Sequence, residues 1–448
     1  MEPTSGRLSG QGENEYVLKV KHLLATAALL LACGEARARP QADRPQCDTD
    51  NGGLSLPTGF CAAVFADEAG VARHLAVGPD GIVYIALEPP NRTSAGTSRS
   101  REAGGILILR DTSGDGRADV RVRVATDGGS GIALRGEWLY FSTQTTVQRF
   151  RLAPGGMDVA GAPDTVVLGI PPGGHSSRSL AFDESGGLFV NVGSDSNVCT
   201  QRGAGRGPNP CPELPTRAGI WRYSADKLRQ IHPQAGEHWV TGLRNAVGLA
   251  WDSTAKRLFA ASHGRDGLAS LWPRLYTAAQ SAEQPSEEFV AVSKGDDFGS
   301  PYCFHDNALG RKVLAPEYGG DGKTVGRCGS AGLPVIGFPG HWGPDGLLFY
   351  RGTMFPSRYR DGVFIAFHGS WNRSPMPQAG YRVSFVPRTA TGLGPAYETF
   401  ADGFAGGNLD PGGARHRPVG LAVGPDGALF VTDDQRGRVW RVTWAEGR

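Results

Sequence analysis

Five short stretches carry side chains able to bind charge or move a proton. His175, in GGHSSRSLAF, is an imidazole preceded by two glycines that leave room for close approach of a ligand. Arg244 and Asn245, in GLRNAVGLAW, set a guanidinium beside an amide, a pair suited to holding carbonyl oxygens or a developing oxyanion. Arg415 and Arg417 stand one residue apart in RHRPVGLAVGPDGALFVTDD. In extended backbone, residues i and i+2 point to one side, so the two forks would clamp an anion bearing several carboxylates. His263-Gly264-Arg265-Asp266 and HGSWNR, His368 to Arg373, each follow an apolar run. Taken singly, each stretch is ordinary: a solvated arginine pair, a structural histidine. Their common placement is not, because each opens or closes a copy of one repeated unit.

That unit is an apolar strand, a turn built on Gly, Asp or Pro, and a second strand rich in β-branched and aromatic residues, which is the chemistry of a hairpin. Copies run Leu75 to Ile85, Ile132 to Phe141, Ser179 to Val192, Val247 to Ala261, Gly343 to Tyr350 and Val419 to Thr432. Alternating segments such as ILILRD, VRVRVA, GIWRYS and VWRVTW lie between them. Six copies at intervals of roughly 50 to 100 residues, each with room for about four strands, predict an all-β chain. The architecture is a six-bladed β-propeller with four-stranded antiparallel blades around a central channel. The wide interval from Val247 to Gly343 predicts a long insertion, with room for a seventh blade. In a propeller the loops at one end of the channel converge, so the five stretches would meet at one mouth. Burying that many cations without an anion is costly. The pattern therefore points to a small polyanionic ligand.

One further motif has metal-binding form. In DTSGDGRAD, oxygens at Asp111, Ser113, Asp115 and Asp119 with Gly116 at the turn match half of an EF-hand loop and suggest a second Ca2+ site. The bidentate glutamate at the loop's end is missing, and an acidic turn between ILILRD and VRVRVA accounts for the residues equally well.

The chain has 448 residues, 66 of them glycine and 31 proline, yet 40% are hydrophobic, enough for a packed core broken by many tight turns. A net charge of +2 with no basic block argues against a nucleic-acid partner. Residues 1–16 are polar and read as a non-native extension. From Val17, VLKVKHLLATAALLLAC has the lysines and apolar run of an export signal, too short to span a bilayer as a helix. Two endings stay open. Leu30-Leu31-Ala32-Cys33 has the form of a lipobox, which would make Cys33 a lipid anchor, and Ala36-Arg37-Ala38 is an ordinary cleavage site. Either places the protein outside the cytoplasm, periplasmic or held at the outer membrane. Signal residues 17–38 and a linker at 39–54 then precede a single propeller domain over 55–446. Of the six remaining cysteines, local pairing as 47–61, 199–211 and 303–328 is the simplest of fifteen connectivities. Each staple would contribute about 2–4 kcal/mol.

GGH before one blade, RN-x-x-GLA before the next, the RxR-x-V run and the hairpin spacing together resemble the soluble pyrroloquinoline quinone (PQQ)-dependent sugar dehydrogenases. GDDFGSPYCFHD and HGSWNR are most similar to the sorbosone-dehydrogenase-like branch. The similarity extends over roughly residues 55 to 445. The resemblance implies a glucose, sorbosone or related sugar as substrate, PQQ and Ca2+ as cofactors, and a cytochrome or quinone as external electron acceptor. It implies His175 as general base, Arg244 and Asn245 on the quinone oxygens, and Arg415, Arg417 and Arg373 on the cofactor's carboxylates, with His263 beside them. It implies backbone carbonyls of Gly264 and Arg265 as calcium ligands. The chain departs from that family in three places. Ser194 follows Gly193 where an aspartate would orient the base, a carboxylate-binding lysine near the fifth blade is missing, and His263 and Arg265 replace an amide and a proline. Two other functions fit a six-bladed propeller: a calcium-dependent lactonase or hydrolase, and a non-catalytic saccharide-binding module.

Overall fold

The computed structural model describes residues 46–89, 104–200 and 205–445. The expected leader, Cys33 as its candidate anchor and both candidate cleavage sites lie outside these residues. Six sheets follow one another along the chain, each four strands at its core, and together they form a six-bladed propeller. The first four blades open on strands Val71–Val77, Gly131–Arg135, Leu180–Phe182 and Gly248–Asp252, and the last two on Pro344–Phe349 and Pro418–Val423. Every blade then runs outward by antiparallel pairing, as in Val83–Glu88, Gly105–Arg110 and Val120–Val124 of the first.

Burial along the strands explains their composition. Second strands are covered on both faces by neighbouring blades, so they are continuous apolar runs: all five residues of Val363–Phe367 and all six of Gly187–Val192 are buried. Outermost strands face water on one side, and VRVRV at Val120–Val124 alternates accordingly. Strands from both ends of the propeller sequence build the last blade. Phe60–Ala66 pairs antiparallel with Val439–Trp444, which closes the ring and removes two free sheet edges. The Cys47–Cys61 disulfide ties the segment before this strand to it. Cys199–Cys211 and Cys303–Cys328 also form, and with Tyr302 they pack into one small core.

Two expectations about the repeat need correction. The insertion before the fifth blade is not a seventh blade. It holds two short helices, Leu268–Leu271 and Ala278–Glu283, and a detached hairpin of Cys303–Asp306 with Arg311–Leu314. Second, the GPDG of the fifth blade is not a hairpin turn. At 78–81 and 424–427 the same tetrapeptide closes a turn, with the last glycine N–H bonded to the first glycine carbonyl. At 343–346 it enters the innermost strand, which pairs Pro344 with Phe367 through a bulge. Asp345 is therefore buried rather than at a solvent-facing turn.

Candidate active site

A cavity of about 300 Å3 opens where the blade loops converge. The sequence stretches before the third and fourth innermost strands bring His175, Arg244 and Asn245 to it. The stretch after Arg257–Ser262 brings His263 and Gly264, and the one after Val363–Phe367 brings His368 to Asn372.

His175 is held in one tautomer. Its Nδ1 lies 2.8 Å from the Ser194 carbonyl oxygen and 3.0 Å from the Ser194 hydroxyl. A carbonyl can only accept, so Nδ1 carries the proton and Nε2 keeps its lone pair. The Ser194 hydroxyl donates onward to the Ser196 carbonyl at 2.6 Å. The orienting group is thus the backbone of Ser194, and Asp195 is turned to solvent, 57% exposed, beside Arg217. Gly174 and Gly193 make this contact possible: a Cβ on Gly174 would lie 2.6 Å from the Ser194 oxygen, and one on Gly193 2.7 Å from that of His175. The glycines before His175 serve backbone packing first and ligand access second. Burial, with the Arg244 charge added, pulls the imidazole pKa down to about 3, so it is neutral at any physiological pH.

Arg244 faces the same cavity but is not a free cation. Its Nη2 donates to Asp266 at 2.7 Å, Nη1 to the Gly264 carbonyl at 2.8 Å and Nε to the Asn197 carbonyl at 3.2 Å. One hydrogen remains on each terminal nitrogen for a ligand. Asp266 also accepts from Asn372 Nδ2 at 2.7 Å and sits 3.4 Å from His341 Nδ1. Burial alone would raise its pKa, but Arg244 and His341 outweigh that and hold it below the usual carboxylate range. His341 responds in reverse: burial works against its charge, yet Asp266 raises its pKa. It also occupies left-handed backbone, φ 62°, a conformation uncommon for any residue but glycine.

A second buried network crosses the channel and reaches the cavity wall through His263, His368 and Glu287. Arg73 donates to Asp434 at 2.7 Å and to Asp345 at 2.9 Å, and the other Asp345 oxygen meets His263 Nε2 at 2.9 Å. Arg417 donates to both the carbonyl and Nδ1 of His368. Glu287, buried beside them, accepts from the Gly264 N–H at 3.0 Å, and burial raises its pKa.

The expected cationic funnel is therefore not what the chain builds, because each buried arginine meets a carboxylate or carbonyl of its own. Arg415 is exposed and does not line the cavity, while Arg417 is buried behind His368. The backbone bends at Arg415, and between the two arginines His416 bonds to Asp433 at 2.7 Å. Arg373 is buried away from the cavity, donating to the carbonyls of Ala282, Gly340 and Pro377 and to Glu283. Arg265 pairs with Glu317 at 2.6 Å. The Gly264 carbonyl is taken by Arg244, so a cation bound there would face a guanidinium; the residues do not fit calcium at that oxygen. In the Asp111–Asp119 loop the carboxylates already accept main-chain N–H groups: Asp111 from Gly114 and Gly116, Asp115 from Arg117, Asp119 from Thr112 and Ser113. Ser113 turns its hydroxyl onto Asp111 at 3.2 Å.

Sequence reasoning missed Asp266, Glu287, His341 and Asp345. Asp266 stood in view within HGRD. Asp345 was hidden by the turn-like GPDG, and Glu287 by its place inside a strand.

Behind the His175 loop lies Arg178, fully buried. It donates to the carbonyls of Gln144, Pro171, His175 and Ser177 at 2.8–3.2 Å. Arg178→Met would strand these acceptors, each costing about 1–3 kcal/mol when buried. The expected result in urea denaturation is a loss of at least ~3 kcal/mol. Arg178→Lys should recover only part, because one ammonium cannot span the fork.

A family profile described as TrAA12-like matches residues 100–445. An uncharacterized protein of Borreliella burgdorferi is 29% identical over 271 residues, 60% of each chain. A pyrroloquinoline quinone-dependent pyranose dehydrogenase of Coprinopsis cinerea is 26% identical over 334 residues, 63% of this chain and 41% of that one. The chain thus spans less than two thirds of the length of either relative. In fold it is similar to the holo form of the pyranose dehydrogenase PQQ domain from Coprinopsis cinerea, with TM-score 0.67 at 21% identity over 90% of this chain and 99% of that one. It is likewise similar to a calcium structure of the Trichoderma reesei carbohydrate-active enzyme of family AA12, with TM-score 0.70 at 18% identity over 88% and 97%. With the profile covering most of the propeller, the chain belongs to the TrAA12-like family.

Proposed function

We propose that this protein is an exported oxidoreductase, a PQQ-dependent dehydrogenase that oxidises an aldose or a related sugar aldehyde such as sorbosone. The observation that carries it is His175: a neutral imidazole, fixed through Nδ1, with its Nε2 lone pair unengaged at a cavity shared with Arg244 and Asn245. The residues fit PQQ as an oxygen-rich ligand. Arg244 has two N–H groups to spare for its oxygens, and the buried Oδ1 of Asn245, an acceptor with no partner among the described residues, suits a donor such as the cofactor's ring N–H or a substrate hydroxyl. When bound, PQQ supplies a quinone that accepts a hydride from the substrate carbon, and an external cytochrome or quinone restores it. His175 takes the substrate hydroxyl proton at Nε2. Arg244, anchored by Asp266, and Asn245 hold oxygens in place without reorganising. Relatives named as PQQ-dependent pyranose dehydrogenases support the assignment.

The hydrolase alternative would need a metal. His263, Asp345 and His368 bring ligand atoms within 4.8 Å of one another. Arg417, however, donates to His368 Nδ1, which places that ring's proton on Nε2 and removes the lone pair a metal needs.

Titration of the purified protein with PQQ, followed by absorbance and tryptophan quenching, tests the assignment. Saturable binding and sugar-dependent reduction of an artificial acceptor are expected. Binding without reduction by any sugar would leave a saccharide- or cofactor-binding module, and no binding would end the quinoprotein reading.

A further inference from the structure

A second, larger cleft of about 1090 Å3 adjoins the catalytic cavity and shares Asp266, Trp371 and Asn372 with it. Its far wall is Trp272, Leu271 and Ser270, from the short helix Leu268–Leu271 and the residue after it. Two features define what it would hold. First, it is lined by aromatic and aliphatic surface alternating with hydroxyl and amide groups. Trp371 and Leu271 are 38% and 44% exposed, and Ser270 and Asn372 stand beside them. Tryptophan presents an apolar face with a polar handle, which suits the C–H face of a sugar ring, and the amides suit its hydroxyls. Second, the described residues of the cleft offer no free charge. Among its described lining residues none is lysine or arginine, and its two carboxylates are already paired, Asp266 with Arg244 and Glu317 with Arg265.

Glu317 also fixes the wall, accepting from Trp272 Nε1 at 2.8 Å while Arg265 holds its other oxygen. Arg265 thereby acts as a brace for an aromatic platform. Size decides the rest. Pockets of about 300–1,000 Å3 enclose drug-sized ligands. The inner cavity lies at the lower end of that range, and the outer cleft exceeds what one pyranose ring fills.

We infer that the outer cleft is a subsite for further rings of a neutral saccharide, so that the substrate is a di- or oligosaccharide whose terminal ring enters the catalytic cavity. This rests on the dehydrogenase assignment above for its kinetic test, but not for its binding test. In the kinetic test, PQQ-loaded protein is offered glucose, maltose, maltotriose, cellobiose and cellotriose. About a tenfold or greater rise in kcat/KM from the monosaccharide to one of the longer series is expected. Ser270→Trp, which fills the cleft from an exposed position, should remove that rise and leave the glucose rate unchanged. In the binding test, cofactor-free protein is titrated with the trisaccharides and followed by tryptophan fluorescence. Saturation that Ser270→Trp abolishes is expected. Equal kcat/KM across chain lengths would overturn the inference while leaving the dehydrogenase assignment standing. So would a length preference that Ser270→Trp does not alter, or saturation by p-nitrophenyl glucoside alone. If no sugar is oxidised, the dehydrogenase assignment fails and the fluorescence titration alone decides the cleft: lack of saturation overturns the saccharide subsite.

Discussion

His175→Ala is expected to lower turnover by about 10²–10⁴-fold, the range for a lost general base, while PQQ affinity changes by no more than a few-fold. The separation follows from the geometry. The His175 ring bonds through Nδ1 to Ser194, so its removal takes away a proton acceptor and leaves Arg244 and Asp266 on each other. Stopped-flow reduction with saturating sugar isolates the step. Equal loss of cofactor affinity and turnover would mean that His175 is part of the binding wall and not the base.

The same residue makes a prediction about pH. Burial, and then Arg244, place its pKa at about 3 against an ordinary value of 6.5. A histidine kept neutral in the folded state favours folding fully above its unfolded pKa. That contribution falls away as pH drops from 6.5 towards 3, because the unfolded chain takes up the proton first. Wild type should therefore lose stability relative to His175→Ala between pH 7 and pH 4, read as converging urea midpoints. For the cofactor-free enzyme, kcat/KM measured against PQQ should show no inflection near 6.5 that disappears in His175→Ala. Such an inflection would contradict the buried, neutral imidazole.

How much of this was legible in the residues depended on what kind of signal each carried. The blades were legible because burial between blades writes continuous apolar second strands, and turns between strands demand Gly, Asp and Pro. The convergence of His175, Arg244, Asn245 and His263 followed from their common place at strand ends. Arg415 and Arg417 misled because identical residue types say nothing of where a backbone twists; one remains at the surface and the other lies under His368. HGSWNR shows the same lesson within six residues. Its arginine, chosen for charge, clasps carbonyls behind the wall, while its histidine, tryptophan and asparagine line the cavity. The deeper reason is electrostatic. A sequence displays cations, but a buried cation is defined by its partner, and Asp345 and Glu317 stand 272 and 52 residues from the arginines they meet. Asp345 was further disguised by a tetrapeptide that is a turn in two blades and a strand in a third.

Asp266→Asn should damage the protein in two ways that one pH series can separate. The carboxylate receives Arg244 and Asn372 at 2.7 Å each and stands 3.4 Å from His341. An amide of the same shape removes the charge and can set a donor against a donor. Arg244 then loses the anchor that fixes its remaining N–H groups at the cavity, and kcat/KM is expected to fall by about 10²–10³-fold, as when a preorganised oxyanion donor is lost. The stability cost should be about 1–3 kcal/mol, below the 3–5 of a fully buried pair because the Asp266 side chain stays 35% exposed. That cost should depend on pH through His341. Burial opposes the imidazolium, but Asp266 raises its pKa above the ordinary value. A raised histidine stabilises fully below its unfolded pKa near 6.5 and loses that contribution as pH climbs through the folded value. The gap between wild type and Asp266→Asn should accordingly be widest near pH 6 and narrow above it, leaving only the Arg244 part at pH 9. Urea denaturation of both proteins at pH 6 and pH 9 measures it. A gap of constant size would remove His341 from the network, whereas one that widens with pH would reverse the sign of the coupling and place the proton elsewhere.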